Sequence, residues 1–416
     1  ASQDAGRALK LFERQFKTKK PSKAEMNNYA STLWVRGSSL MEFGAYKEAS
    51  KHVGRALEIN PGNDMWQETY EIIKEQVEHS KKISERDAKR LPVTIITGFL
   101  GSGKTTLVNH ILSSKHGLKL AVIENEFGSE SIDGKLVAGG QKENPDEVIV
   151  EASNGCVCCT VRGDLIQAII KLCDKYKDLD GILVETTGMA DPTPVAQTFY
   201  MDQEISEIAK LDGIVTVCDC KHILQNLEEK KQDGAVNESR QQLAFADVVL
   251  LNKVDLCTPD KIKEVKDMVR KINKSTKMIE TVRGKVDPKH LLKINAFQVE
   301  RVLEIQSDFL EDRQTSHDES IGSFVVRIKA PMDLELFQEW MRDLLQEKSA
   351  DLYRSKGLLY ASGSDSKFVY HTVHEIMEIE EGSEWAEGEK KESVFVFIGK
   401  DLDQKSIENS LKHIIA

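Results

Sequence analysis

The run "VTIITGFLGSGKTT", residues 93 to 106, constrains this 416-residue chain more than any other stretch. An apolar, β-branched lead enters Gly98-Phe99-Leu100-Gly101-Ser102-Gly103-Lys104-Thr105-Thr106, which fits G-x-x-x-x-G-K-[ST]. The pattern follows a strand and precedes a helix, the context that separates a working phosphate loop from a chance match. Its glycines let backbone N–H groups turn toward phosphate oxygens, and the helix N-terminus adds a favourable dipole. On this reading Lys104 neutralises the β and γ phosphates and Thr105 offers a hydroxyl to Mg²⁺. The competing reading is a glycine turn that holds no nucleotide.

The residues after Leu91 supply a setting for that loop. "VTIITG", "KLAVIEN", "EVIVEAS", "GILVETTG", "DGIVTVCD" and "DVVLLNK" are six buried-strand candidates, separated by amphipathic helical stretches. Apolar strands alternating with helices predict an α/β fold, a mostly parallel sheet covered on both faces. Two further strand ends carry chemistry. "VVLLNKVD" places Asn252-Lys253-x-Asp255 after a strand. A carboxylate there can accept from both N1–H and N2–H₂ of guanine, whereas adenine has no such donor pair, so the motif selects GTP over ATP. "GILVETTG" ends in Glu185-Thr186-Thr187-Gly188. Glu185 can hold Mg²⁺ or its water, or align the attacking water, and Gly188 lets a backbone N–H approach the γ-phosphate. No arginine finger can be assigned, so slow intrinsic hydrolysis is expected, open to acceleration by a partner or a bound metal.

Seven cysteines are an odd number with no disulfide-framework spacing, and three of them crowd into "EASNGCVCCT". Crowding of this kind favours a reducing compartment and thiolate chemistry. Cys156, Cys158 and Cys159 lie in a turn after a strand, and soft thiolates suit Zn²⁺ or Cu(I). A closed structural zinc site has a fourth dedicated ligand, and no second C-x-x-C or H-x₃-H lies nearby to supply one. Three donors with a weak fourth is the pattern of a site that releases its ion. Glu124, Glu126, Glu130 and Asp133, after the second strand, are acidic candidates in a loop where a γ-phosphate-sensing switch would lie. A redox pair, a buried thiol cluster and a structural zinc are the alternatives. In "CDCKH", Cys218 reads as core, while Cys173 and Cys257 read as structural.

Composition excludes several classes. Net charge is −11, from 57 Lys and Arg against 68 Asp and Glu, which disfavours nucleic-acid binding. No apolar window is long enough to span a membrane, and no apolar signal core precedes the fold, although a cleaved leader would leave no trace. The cytoplasm is the expected compartment, with a plastid or mitochondrial interior as the alternative. Residues 1–90 read as helical, and "YASTLWVRGSSLMEFGAYKEASKHVGRALEINPGN" resembles a single tetratricopeptide repeat, closed by Pro61. The helix from Asp64 would cover its exposed face. One repeat cannot build a peptide groove, so a docked accessory or self-association element is expected. The charged run "HSKKISERDAKR" reads as a linker or helix end. Residues 91–306 form the nucleotide-binding region, with a helix near Val299–Phe309, and 307–319 form a linker. Residues 320–416 form a small α+β domain with a mostly antiparallel sheet and helices near Leu334–Glu347 and Gln404–Ile415.

The motifs "ITGFLGSGKTTL", "VIENEFG", "NGCVCCTVRGDL", "VETTGMADP" and "LLNKVDL" occur in this order, and together the chain resembles the CobW-type P-loop GTPases, a family of metallochaperones. "YRSKGLL" and "VFIGKDLD" are similar to that family's C-terminal domain, so the likeness covers roughly residues 91–416 and leaves out the helical extension. The resemblance implies a SIMIBI-class G domain, GTP hydrolysis to GDP, and zinc or a related transition metal such as Co²⁺ at the C-x-C-C thiols. It implies that Lys104 and Thr105 serve phosphate and Mg²⁺, Asn252 and Asp255 the base, and Cys156, Cys158 and Cys159 the metal. The chain departs from the family in three places. Only His317 lies where many members have a His-rich stretch, Phe127-Gly128-Ser129-Glu130 replaces Phe-Gly-Glu, and "NKST" at Asn273 replaces Asn-Pro-x-Ala. The last leaves the second base-contacting segment unassigned.

Two functions of different class follow. One is a GTPase metallochaperone that delivers its ion to a client metalloprotein in a nucleotide-dependent way. The other is a nucleotide-switched scaffold whose helical N-terminus recruits a partner and whose cysteines hold a structural zinc. A kinase on the same phosphate loop is disfavoured by the guanine-selecting Asn252 and Asp255.

Overall fold

The computed structural model describes residues 2–42, 46–114, 116–124, 148–151, 161–188, 191–228, 237–296, 321–373, 375–386 and 388–415. The first of its two sheets has seven strands in the order β3-β2-β4-β1-β5-β6-β7. These are β1 Leu91–Thr97, β2 Leu120–Glu124, β3 Val148–Glu151, β4 Gly181–Glu185, β5 Ala209–Asp219, β6 Val248–Asn252 and β7 Lys277–Glu280. Every pairing in it is parallel. Six of the strands are those expected from the sequence. The seventh, β7 "KMIE", lies at the edge, where a short strand with Lys and Glu at its ends lacks the apolar run that marks an inner strand.

Parallel strands must be covered on both faces, and they are. Ile95, Ile123, Ile182 and Val184 enter a core with the helices Val161–Lys175, Thr193–Met201, Glu238–Phe245 and Pro259–Ile272. Ile96, Val122, Leu183 and Val217 enter another, against the helix that follows the phosphate loop, Lys104–Ser113, and the segment around Leu291 and Ile294. Buried Asp212 of β5 holds that segment down, accepting from the backbone N–H of Ile294 and Asn295, each at 2.8 Å.

The second sheet runs β11-β10-β9-β12-β8, with β8 Ile321–Ile328, β9 Leu352–Tyr360, β10 Ser366–Val373, β11 Ile376–Glu384 and β12 Ser393–Lys400. All its pairings are antiparallel. The stretch "KFVYHTVHEIMEIE" forms the β10–β11 hairpin. One face carries Tyr370, Phe395 and Phe397 against the helices Leu334–Glu347 and Gln404–Lys412. From the other, Tyr353, Val373, Val396 and Ile398 join the core of the first sheet. Arg354, 1% exposed, crosses this contact: its Nη1 donates to Phe245 O at 2.8 Å and its Nη2 pairs with Asp247 Oδ1 at 2.6 Å.

Residues before β1 form α1 Ser2–Thr18, α2 Lys23–Glu42, α3 Tyr46–Ile59 and α4 Asp64–Lys89. A reciprocal capping box opens α2, with the Glu25 N–H on Ser22 Oγ and the Ser22 N–H on Glu25 Oε2. Gly37 lets α2 meet α3, since a Cβ there would stand 2.4 Å from Val53 Cγ2. Leu40, Ala49, Val53 and Ile73 of these helices share a core with the second sheet. Glu48 fastens the contact, accepting from Ser364 Oγ at 2.6 Å and from the Asp365 N–H at 3.2 Å. No helix among the described residues is long and apolar enough to cross a membrane. The helix expected near Val299–Phe309 and the linker 307–319 lie outside the described residues.

Candidate nucleotide site

In a parallel sheet the carboxyl ends of the strands lie on one edge, and ligands bind outside them. Here β1 is the middle strand, and the segments after β4, β1, β5, β6 and β7 converge. The phosphate loop leaves β1 through glycines in the left-handed region, with φ of 140° at Gly98, 72° at Gly101 and 106° at Gly103. Close approach adds to the requirement: a Cβ at Gly98 would meet Val217 O at 2.2 Å, and one at Gly103 would meet Asn252 Nδ2 at 2.6 Å. Lys104 is buried, its ammonium donating to Gly98 O at 2.8 Å and Phe99 O at 3.3 Å. The cation therefore sits within the arc of its own loop.

Thr105 Oγ1 donates to Glu185 Oε1 at 2.9 Å, joining the phosphate loop to the end of β4. Thr106 is exposed on the first turn of the following helix. Thr186 anchors the next residue by donating its N–H to Ile96 O at 2.9 Å and its hydroxyl to Thr97 Oγ1 at 2.9 Å. Gly188 then touches the loop, where a Cβ would stand 2.6 Å from Leu100 N. Two hydroxyl oxygens at this end, Ser102 Oγ and Thr187 Oγ1, are buried without a hydrogen-bond partner. Buried polar atoms are ordinarily satisfied, so these fit a polar guest beside the loop. A hydroxyl and a carboxylate within hydrogen-bond reach of each other are hard oxygen donors of the kind Mg²⁺ takes, so Thr105 and Glu185 fit that ion.

The base side is organised by Asn252, 2% exposed at the end of β6. Its Nδ2 donates to Ser102 O at 2.9 Å, and its Oδ1 accepts from Thr281 Oγ1 at 3.1 Å and the Gly284 N–H at 3.0 Å. The sequence reading gives Asn252 to the base; here its amide ties the phosphate loop to the segment after β7. Lys253, at φ 62°, donates to Gly101 O at 2.7 Å and to Asp219 Oδ2 at 2.8 Å. Burial pushes the Asp219 carboxyl up, but hydrogen bonds from His222, Lys253 and the Lys221 N–H outweigh it and hold Asp219 below its ordinary value. Asp255 is exposed on the turn Val254–Leu256. Its carboxylate is the acidic group of the motif that faces solvent at this rim.

The segment Thr281-Val282-Arg283-Gly284 is what sequence reasoning missed on this side. Its signal was faint: a glycine after a short edge strand, with Arg283 at φ 52° and Gly284 at φ 65°. Asn273, the position considered for a second base contact, is fully buried elsewhere and donates to Leu243 O, Ala244 O and Ala246 O at 2.9–3.0 Å. It is a post that holds the end of the helix Glu238–Phe245.

Cys156, Cys158, Cys159, Glu126, Glu130 and Asp133 lie outside the described residues, as do Ser129 and His317. What is described is where their segments join the sheet. β2 ends at Glu124 and β3 at Glu151, and register pairs Glu124 with both Glu151 and Glu185. Cys218 and Cys220 are buried, and burial pushes the thiols of Cys173 and Cys257 up, as expected of structural cysteines. Among the described residues no cluster of three or more His, Cys, Asp or Glu is arranged to hold a metal ion.

Residues 92–280 match the family model described as CobW/HypB/UreG, nucleotide-binding domain, and residues 321–415 match the cobalamin synthesis protein cobW C-terminal domain. An Escherichia coli protein named zinc chaperone YjiA is 32% identical over 324 residues, 76% of this chain and 96% of that protein. A Schizosaccharomyces pombe protein named zinc-regulated GTPase metalloprotein activator 1 is 34% identical over 321 residues, 70% of this chain and 76% of that protein. The crystal structure of the Zn(II)-bound YjiA GTPase from E. coli superposes with a TM-score of 0.62 at 27% identity, covering 79% of this chain and 99% of that one.

Proposed function

The chain belongs to the CobW family of P-loop GTPases, and from that premise we propose a carrier that couples GTP hydrolysis to the capture and release of zinc. Lys104 and the loop Gly98, Gly101, Ser102, Gly103, Thr105 and Thr106 take the phosphates, and Asp255 reads guanine. Asn252 and Lys253 brace the loop that the base lies against. Thr105 and Glu185 would hold Mg²⁺, which when bound would spread the charge that develops on the phosphates. Cys156, Cys158 and Cys159, with an acidic residue such as Glu126, hold the metal cargo, zinc before cobalt, and a client metalloprotein receives it. The matching division of the chain is 1–90 as helical accessory region, 91–306 as GTPase, 307–319 as linker and 320–416 as C-terminal domain.

The observation that carries this reading is the register of three strand ends. Glu124, Glu151 and Glu185 are neighbours across β2, β3 and β4. The strands that precede the acidic and cysteine segments therefore end one and two strands away from Glu185, whose carboxylate is bonded to Thr105 of the phosphate loop. Nucleotide state and metal geometry share one edge, and linkage then requires that each change the other's affinity by the same factor. The test is a Zn²⁺ titration against a competing chromophore with a non-hydrolysable GTP analogue and with GDP. The carrier reading expects at least about tenfold different affinities, a coupling of about 1.4 kcal/mol. Equal affinities, with Cys156→Ser lowering thermal stability, would instead support a scaffold with a structural zinc.

A further inference from the structure

Gly188 shares a physical problem with Gly98 of the phosphate loop. It must be glycine, because a Cβ would stand 2.6 Å from Leu100 N and 2.8 Å from Leu100 Cα. A glycine is also the residue least able to hold its own conformation. Something outside must fix the turn that follows Glu185 and Thr187. Gln242, 1% exposed on the helix Glu238–Phe245, does so by donating its Nε2 to Gly188 O at 3.2 Å. Gln242 is itself fixed: its backbone carbonyl accepts from Thr216 Oγ1 of β5 at 2.7 Å. The same helix reaches the other side of the segment, where Gln241 Nε2 lies 3.5 Å from Asp191 Oδ2, and Asp191 Oδ1 accepts from the Thr193 N–H at 2.9 Å. Its far end is pinned by Arg354 of β9 through Phe245 O and Asp247.

We infer that Gln242 is a positioning residue for GTP hydrolysis, holding the Gly188 turn in the conformation that meets the γ-phosphate. The inference rests on the proposed GTPase reading, in which the backbone at Gly188 approaches that phosphate. Gln242 itself touches neither nucleotide nor metal. It acts by restricting a glycine of the site that has no side chain to hold it. Because GDP has no γ-phosphate, the effect of Gln242 is confined to the triphosphate state.

The experiment compares wild type with Gln242→Met, which keeps side-chain length and removes the donor. Steady-state GTP hydrolysis and the affinities for GDP and a non-hydrolysable GTP analogue are measured on the full chain. The expected result is a kcat about tenfold lower, an analogue affinity weakened several-fold, and a GDP affinity within twofold of wild type. Thr216→Val, which loosens Gln242 without removing its amide, should give a kcat loss of two- to threefold in the same pattern, and it serves if the first variant does not fold. Unchanged kcat in a folded variant, or GDP and analogue affinities falling together, would overturn the inference. A wild type that binds GTP without hydrolysing it would instead overturn the reading beneath it.

Discussion

The nucleotide cleft and the seam between the N-terminal helices and the second sheet both bury charge against glycine, to different ends. In the seam, Gly6 and Gly363 make room for the protein's own Arg36, whose guanidinium would stand 2.6 Å from a Cβ at either. Glu48 is met by Ser364 and Asp365, and the surface is closed by Lys51 with Glu384. In the cleft, glycines bring backbone close to backbone, and the hydroxyls of Ser102 and Thr187 are buried without partners. The glycines of the seam make room for the protein's own side chain, while the cleft has the form of a phosphate loop. Substitutions in the two regions should therefore separate into changes of nucleotide handling and changes of stability.

The largest effect is expected at Asp255. If Asp255 reads guanine as proposed, Asp255→Asn removes the acceptor for the paired guanine donors, and a preference for GTP over ATP of about 10⁴-fold should collapse to within tenfold. Competition binding with both nucleotides measures it, with unfolding unchanged because the residue is exposed. Next comes Lys104→Ala, which should lower kcat by about 10²–10³-fold, as loss of one charge-stabilising donor does. A comparable loss of thermal stability there would break the comparison, since it would make the cleft structural.

On the seam, Glu48→Ala should cost about 2–3 kcal/mol by leaving the Ser364 hydroxyl and the Asp365 N–H without their acceptor, while the KM for GTP stays put. The seam also carries a pH dependence. Burial, with Arg36 and Arg55 adding repulsion, holds His52 down to about 4. The unfolded chain takes up that proton near the ordinary 6.5, so the contribution of His52 at neutral pH is lost as pH falls from about 6.5 toward 4. Urea unfolding of wild type against His52→Gln across that range should show a difference of about 3 kcal/mol. Glu48 works in the opposite sense: burial raises its carboxyl, partly offset by Ser364 and Asp365, so its contribution is lost as pH rises through the raised value. The smallest effect is Lys51→Ala, within about 0.5 kcal/mol, because its ion pair with Glu384 leaves the two side chains 66% and 64% exposed.

What the sequence made legible divides along the same line. The phosphate loop could be read because its glycines answer a local demand, three positive φ values that other residues rarely adopt. The five inner strands, β2, β4, β1, β5 and β6, could be read because burial on both faces forces continuous apolar runs. Asn252 was placed in the site for a partly different reason, since a motif records that an amide is needed and not which way it turns. The tie from Asn252 to Thr281 and Gly284 needed the fold, because β7 is a half-exposed edge strand without a strong pattern. The seam was invisible for a simpler reason: nothing in "ASGSDS", residues 361–366, says that a glutamate 316 positions earlier will sit on it.

That separation of 316 residues has a consequence for how the molecule is made. Helices α2 to α4 leave the ribosome before the second sheet, with Leu40, Val53 and Ile73 destined for a core whose other half belongs to that sheet. Elongation at about 5–20 residues per second means that the partner surface arrives roughly 16–63 s later. Over that interval the nascent hairpin presents an apolar face with nothing to close it, while the seven-stranded sheet is still being synthesised. This contact thus joins segments made far apart in time, and translation speed sets how long that surface is held open.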